Sequence, residues 1–289
     1  MENQTNSYVI EITVPNAAEG LRIIEKSNGN SKGIFCPRSE FQKCKSMPEF
    51  NKAGVYVLWG PDDKETSTLP KLYIGEGDPV RPRLEHHYRD REKDKDFWTR
   101  LVLFVSIKEI NKAHIQYLES RLVALASQAK RGILGNGNIP AAPSLSVNDK
   151  AKADNLLEEM LLCMPLLGLS AFETPPSRSW HTDYLILKGK GIEAHGFETG
   201  GGFVVKRGSG AVSDESSGLP PYVLALRNTL RQNGTLGIAG DALTLTQDYT
   251  FDSPSAAAAT LLARSANGRI EWKNKNGQTL RELQEASTT

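Results

Sequence analysis

The stretch KLYIGEGDPVRPRLEHH, residues 71–87, decides the fold because a β-rich run gives way within it to a helical one. LYIG is typical of a strand. Proline is tolerated only in the first turn of a helix, so Pro79 and Pro82 predict that a helix begins beside them. That helix carries Arg83 and His87 one turn apart and therefore on one face. Ordinary packing requires neither residue, which raises the question of what they bind.

A second β-rich run, GVYVLWG at 54–60, precedes this stretch. The polar residues 61–70 between the two runs predict a hairpin-like connection and hence two antiparallel strands. LVLFVSI at 101–107 predicts a third strand, after which Asn111 is placed to cap a long helix that runs to about Arg131. The apolar residues of that helix recur at spacings of three and four, which places them on one face. They are Ile115, Leu118, Leu122, Leu125 and Ala129.

The composition is that of a globular protein. With 289 residues, 39% hydrophobic and 24% charged, the chain is long enough for two domains with real cores. Its start lacks a basic segment followed by an apolar run, and no later stretch approaches about 18 uncharged apolar residues, so we expect a cytoplasmic protein that does not span a membrane. Cys36, Cys44 and Cys163 lack Cys-x-x-Cys spacing and are interpreted as buried reduced thiols. A net charge of +1 does not indicate a nucleic-acid binder, so that function requires a local basic patch.

Five landmarks occur in an order that carries a resemblance. They are GVY at 54–56, YIG at 73–75, Arg83 ten residues after the second tyrosine, His87 four residues later, and the helix-borne Glu119. This arrangement resembles the GIY-YIG nuclease superfamily, which includes restriction and homing endonucleases and the incision subunit of bacterial nucleotide excision repair. The tail at 245–277 resembles a domain of unknown function that follows the nuclease in one bacterial subgroup.

The resemblance implies an α+β fold with a small central antiparallel sheet flanked by helices over residues 52–140. Residues 1–50 then form an amino-terminal extension with a small fold of its own, and 141–178 a helical connection whose linker is ETPPSRSW. Residues 179–289 form a smaller α+β domain of unknown function, a candidate for target or partner binding. Its strands are predicted at YLILKG, GGFVVKRG and GRIEWKN, and a helix is predicted at SPSAAAATLLARS.

The chemistry of phosphodiester hydrolysis finds a candidate for each task. It requires an activated water and neutralisation of the charge that gathers on the phosphoryl oxygens, and a divalent metal assists both. The planar, always charged fork of Arg83 matches phosphate oxygens. Glu119 lies at the edge of its helix's apolar face, where a carboxylate can hold Mg²⁺ or Mn²⁺. The resemblance implies these same two roles and a nucleic-acid substrate, with DNA the expected form.

Three further residue types complete the predicted site. In the family, tyrosines at the positions of Tyr56 and Tyr73 are proposed to orient or deprotonate water, and which of the two is the base stays open. His87 is a proton shuttle or a phosphate contact. The family also places an asparagine after the long helix. Asn138, shortly before a proline, is the preferred candidate, whereas Asn136 is interpreted as a turn residue.

A second function keeps the fold without turnover: a non-catalytic module that binds nucleic acid or protein. The intact set of five residues argues against it, and the nearly neutral charge argues for it. Phe97 and Trp98 are expected to belong to the core rather than to a platform for stacking bases. A basic cluster near the carboxyl terminus is expected to be solvated surface, with nucleic-acid contact as the alternative. Its members are Arg264, Arg269, Lys273 and Lys275.

Overall fold

The computed structural model describes residues 7–16, 18–62, 69–90, 96–174, 184–216, 218–239 and 242–286. The chain divides into two compact units: the first ends at Phe172, and the second continues from Glu173 and also includes Ala129–Arg131. Most of the predicted connection at 61–70 and of the predicted linker at 173–180 lies outside the described residues. The α+β class is confirmed, since both units combine helices with sheets.

The first unit is built on a seven-stranded sheet in the order β1-β2-β3-β6-β4-β5-β7, in which only the β5–β7 pair is parallel. Its strands are β1 (Ile10–Thr13), β2 (Arg22–Lys26), β3 (Ser31–Pro37), β4 (Gly54–Gly60), β5 (Lys71–Gly77), β6 (Arg100–Ser106) and β7 (Ile133–Leu134). Its α-helices are α1 (Phe41–Cys44), α2 (Arg81–Arg89), α3 (Lys112–Ala129) and α4 (Val147–Cys163). Short 3₁₀ turns occur at Arg38–Glu40, Pro48–Asn51 and Pro165–Leu167.

The predicted hairpin, third strand and long helix are confirmed. β4 and β5 pair antiparallel from Gly54↔Gly77 to Gly60↔Lys71. Asn111 caps α3 as expected, because its side-chain oxygen accepts a hydrogen bond from the backbone N–H of His114 at 3.3 Å. The apolar face predicted for this helix is also the one it buries, since Ile115, Leu118 and Leu122 belong to the core.

The amino-terminal residues do not form a small fold of their own, which corrects the sequence interpretation. β3 pairs antiparallel with β6 along its whole length, from Ser31↔Ser106 to Pro37↔Arg100, and so joins the central sheet. Helix α4 likewise packs its buried face on this sheet, within the region predicted to be a connection. Backbone pairing and apolar burial thus make one unit of three predicted segments.

Two apolar cores lie on opposite faces of this sheet, because side chains alternate along a strand. On β4, Val55 and Val57 join the core covered by α3 and α4, whereas Tyr56 and Leu58 join the core beneath α1 and α2. The core expectation for Phe97 and Trp98 is confirmed, since both are buried in the second of these cores. The three cysteines are buried and free, also as expected.

The second unit contains two smaller sheets and four helices among its described residues. A four-stranded sheet has the order β14-β10-β9-β8, and a three-stranded sheet has the order β11-β13-β12. The strands are β8 (Leu185–Gly189), β9 (Ile192–Thr199), β10 (Gly202–Val205), β11 (Gly210–Ala211), β12 (Leu236–Ala239), β13 (Ala242–Leu245) and β14 (Tyr249–Phe251). The helices are α5 (Pro221–Gln232), α6 (Pro254–Leu262), α7 (Gly268–Glu271) and α8 (Leu280–Ala286).

The strand predicted at GRIEWKN is wrong at its start, where helix α7 stands instead. The Asn267 side chain caps this turn by accepting from the N–H of Arg269 at 3.1 Å. A Cβ on Gly268 would lie 2.1 Å from the backbone of Pro254, so glycine permits the turn to pack closely on α6. Lys273 alone pairs with strand β8, through an isolated bridge to Ile186. In the basic cluster predicted here, Arg264 forms an ion pair with Glu271 at 2.8 Å, as a solvated surface does.

Candidate active site

The two tyrosines of the predicted site lie on the same face of the sheet. The pairing of β4 with β5 sets Tyr56 opposite Gly75 and Leu58 opposite Tyr73. The tyrosine rings stack with centroids 6.4 Å apart and an interplanar angle of 27°. A Cβ at position 75 would lie 2.4 Å from the Tyr56 hydroxyl oxygen. The glycine of YIG therefore gives the Tyr56 ring the space in which it lies.

Helix α2 brings His87 to these tyrosines. The Tyr56 hydroxyl and the His87 Nε2 atom form a buried hydrogen bond of 2.9 Å. The imidazole ring also lies 4.7 Å from the Tyr73 ring, centroid to centroid. His86, the neighbouring histidine, points to solvent and lies 3.9 Å from Asp90. Sequence spacing alone did not identify the tyrosine partner of His87, because helix packing sets which strand residue it meets.

Burial raises the pKa of Tyr56 well above its usual range. Neighbouring Tyr73 raises this pKa further, as do the carboxylates of Glu119 and Glu76, whereas the guanidinium of Arg83 lowers it. The hydroxyl is therefore protonated at neutral pH. Only a proton acceptor in contact with it, or added positive charge nearby, favours the phenolate.

Arg83 and Glu119 lie on helices that cover opposite faces of the sheet, Arg83 on α2 and Glu119 on α3. Arg83 is exposed on α2, whereas Glu119 is partly buried on α3. Burial, and after it the charge of Glu76, raises the pKa of Glu119 to about 7, while Lys112 and Arg83 oppose that rise. The two predicted residues are thus within electrostatic range of each other and of Tyr56.

Glu76 belongs to the same group of charges, and the sequence interpretation missed it. It follows YIG on β5 and lies opposite Val55, on the face covered by α3. Lys112, the first residue of α3, holds its carboxylate with Nζ–O distances of 2.6 and 2.5 Å. The Glu76 side chain is only 10% exposed. Strand alternation could have found it, because a carboxylate at a core-facing strand position requires a partner.

The asparagine that the structure joins to the site's scaffold is Asn136, not Asn138. The Asn136 side chain accepts from the backbone N–H of Ile74 at 3.0 Å and donates to the Ile74 carbonyl at 2.8 Å. It thereby extends the β5–β7 pairing by one step beside Tyr73. Asn138 is exposed. The proline rule that favoured Asn138 does not detect this contact, which depends on where the chain returns to the sheet.

With the Glu76 carboxylate paired to Lys112, Glu119 is the carboxylate of this region that a divalent ion keeping most of its water would use. Among the described residues there is no group of three or more His, Cys, Asp or Glu side chains that could enclose a metal ion. Mg²⁺ is commonly held by one or two carboxylates and several waters. Glu119 offers one such carboxylate, and burial followed by the charge of Glu76 raises its pKa to about 7.

Comparison with known proteins concerns the second unit. Residues 185–284 match the family described as Domain of unknown function (DUF4357), a region that encloses the tail at 245–277. No curated protein and no solved structure matches the chain. In the part of the chain that the structure describes, none of the helices has the length and apolar character needed to cross a membrane.

Proposed function

We propose that residues 52–140 carry a metal-dependent endonuclease activity on nucleic acid, with DNA the expected substrate. The observation that supports this most is the buried hydrogen bond between Tyr56 and His87, on which the charges of Arg83 and Glu119 also act. A phenol bonded to an imidazole has no packing advantage over apolar side chains, but it is suited to moving a proton. The proposal places the protein in the cytoplasm of a bacterium, in repair, restriction or defence.

In the proposed mechanism Tyr56 is the base and His87 takes its proton. The attacking water gives a proton to the Tyr56 oxygen while the Tyr56 hydroxyl proton passes to His87 Nε2, across the 2.9 Å hydrogen bond. The water oxygen forms the new bond to phosphorus as the bond from phosphorus to the leaving oxygen breaks, and the leaving oxygen departs with that electron pair and takes a proton from solvent. This relay avoids a free phenolate, which the raised pKa of Tyr56 disfavours.

The charged residues act on the phosphate. The exposed guanidinium of Arg83 binds the phosphoryl oxygens, on which negative charge gathers as the water attacks. Glu119 would hold Mg²⁺ or Mn²⁺, and the bound ion would supply further neutralisation of that charge. Lys112 forms an ion pair with the Glu76 carboxylate, which limits the repulsion between Glu76 and an approaching phosphate.

The test is cleavage of labelled DNA and RNA, presented as duplex, single strand, fork and supercoiled plasmid, with Mg²⁺ or Mn²⁺. We expect Arg83→Ala and Glu119→Gln to lose about 10²- to 10³-fold in rate. Arg89→Ala is the matched control on the same helix, because Arg89 is an exposed residue that forms a surface ion pair with Glu85 at 3.4 Å. Glu158→Gln, on the exposed face of α4, is the carboxylate control.

Wild-type protein that binds these substrates and leaves them intact would favour the non-cleaving module, which the net charge of +1 supports. Equal cutting by the wild type and by Arg83→Ala would instead assign the activity to a contaminant.

A further inference from the structure

An open cleft beside the candidate active site combines aromatic and charged groups. Its volume is about 750 Å³, within the usual range for ligand sites. It is lined by Arg38, Ser39, Tyr88, Asp96, Trp98 and Thr99. Tyr88 directly follows His87 on α2 and lies five positions after Arg83, which is about 7.5 Å along a helix axis. Because five positions also turn the helix by about 140°, a strand that runs from Arg83 to this cleft passes round α2.

Arg38 lies over two aromatic rings in this cleft. Its guanidinium carbon is 4.8 Å from the centroid of Trp98 and 5.9 Å from that of Tyr88. Its Nη1 atom donates to the carbonyl oxygens of Asp96 and Trp98 at 3.2 and 3.3 Å. Trp98 is buried, so a ligand meets Arg38 and the Tyr88 edge of the cleft rather than the indole. The planar guanidinium of an arginine fixed by these contacts is a surface on which a nucleobase can stack.

The remaining partner of Arg38 is exchangeable. Its Nη2 atom forms an ion pair with the Asp96 carboxylate, whose side chain is 48% exposed. An ion pair as exposed as this contributes little to stability. A phosphate can therefore replace Asp96 at Arg38 without leaving a buried charge behind, since the released carboxylate returns to water.

From these contacts we infer that the cleft binds one unpaired nucleotide of a nucleic-acid strand, with its base against Arg38 and Tyr88 and its phosphate in the place of Asp96. The inference rests on the proposed function for the nature of the ligand. It gives the candidate active site a substrate class, namely strands with an unpaired nucleotide beside the scissile bond.

The experiment measures binding in EDTA, where no cleavage is required. Fluorescence anisotropy with full-length protein compares a labelled single strand and a blunt duplex of the same sequence. Arg38→Lys keeps the charge and removes the planar surface, and we expect it to weaken single-strand binding about tenfold. Asp96→Asn removes the competing carboxylate, and we expect it to strengthen that binding severalfold. Both changes should leave duplex binding within about twofold of wild type.

Arg22→Lys is the matched control, because Arg22 also lies over an aromatic ring, 5.4 Å from the Phe35 centroid, but outside the cleft. Arg38→Lys is expected to weaken single-strand binding and Asp96→Asn to strengthen it. Structural damage would instead weaken binding by both variants, so the two cases are distinguishable. Wild-type affinity in both variants, or no preference for the single strand, would overturn the inference even if the protein cleaves duplex DNA. Lack of cleavage together with the expected signs would refute the nuclease and keep the binding site.

Discussion

Gly75→Ala should disrupt the candidate active site from within the sheet. The added Cβ would lie 2.4 Å from the Tyr56 hydroxyl oxygen, 2.5 Å from Cζ and 3.0 Å from Cε2. The ring is buried, so it can yield only by moving against its neighbours, His87 included. Overpacking of this kind costs about 1–3 kcal/mol of unfolding free energy. Movement of the ring also breaks the 2.9 Å hydrogen bond between the Tyr56 hydroxyl and His87 Nε2.

The assay is urea unfolding of the full chain, followed by cleavage under single-turnover conditions. Gly137→Ala is the control, because a Cβ there meets nothing within 4 Å. We expect Gly75→Ala to lower the unfolding free energy by about 2 kcal/mol and the cleavage rate by at least about 10²-fold, with Gly137→Ala unchanged in both. A stability within about 0.5 kcal/mol of wild type for Gly75→Ala would refute the packing argument.

Three further predictions concern stability. Glu159→Ala should lower the free energy of unfolding in urea by about 2–4 kcal/mol, because the buried carboxylate accepts hydrogen bonds from the backbone N–H groups of Asn30 and Ser31 at 2.8–3.0 Å. A decrease of less than about 1 kcal/mol would contradict this. In the same assay, Asn136→Ala should lower the free energy of unfolding by about 1–2 kcal/mol and Asn138→Ala should leave it nearly unchanged. Equal effects of the two substitutions would count against the role of Asn136 in holding strand β5. The pKa of Glu119 is raised to about 7 in the folded protein, so the folded state binds a proton more tightly than the unfolded chain does, and the stability of the protein in EDTA falls as pH rises toward 7. Glu119→Gln should therefore melt at a higher temperature than wild type at pH 8 but not at pH 4.5. A difference in melting temperature that is the same at both pH values would refute this.

Local signals in the sequence predicted the centre of the first unit well. Alternation and turn chemistry indicated β4, β5 and β6, and the apolar spacing after Asn111 indicated α3. The amino-terminal strands were misjudged for a physical reason. β3 pairs with β6, which is 75 positions away at Ser31↔Ser106 (106 − 31) and 63 at Pro37↔Arg100 (100 − 37), and no local pattern specifies such a partner.

In the candidate site, too, local sequence patterns predicted where residues lie but not which residues they contact. Helical spacing placed Arg83 and His87 on one helix, but the contact of His87 with Tyr56 depends on how α2 packs on the sheet. Glu76 was overlooked although its position is readable from strand alternation, and its partner Lys112 is far along the chain. Motif spacing thus identifies residues, whereas their hydrogen bonds follow from tertiary packing.

The most direct test of the proposed centre is the single-turnover cleavage rate of Tyr56→Phe beside wild type, on the best substrate and with Mg²⁺. The change removes only the oxygen that lies 2.9 Å from His87 and keeps the buried ring. If Tyr56 is the base, the rate falls about 10²- to 10⁴-fold while the melting temperature stays near that of wild type. A folded Tyr56→Phe protein that cleaves at the wild-type rate would contradict the proposed role of the Tyr56–His87 pair.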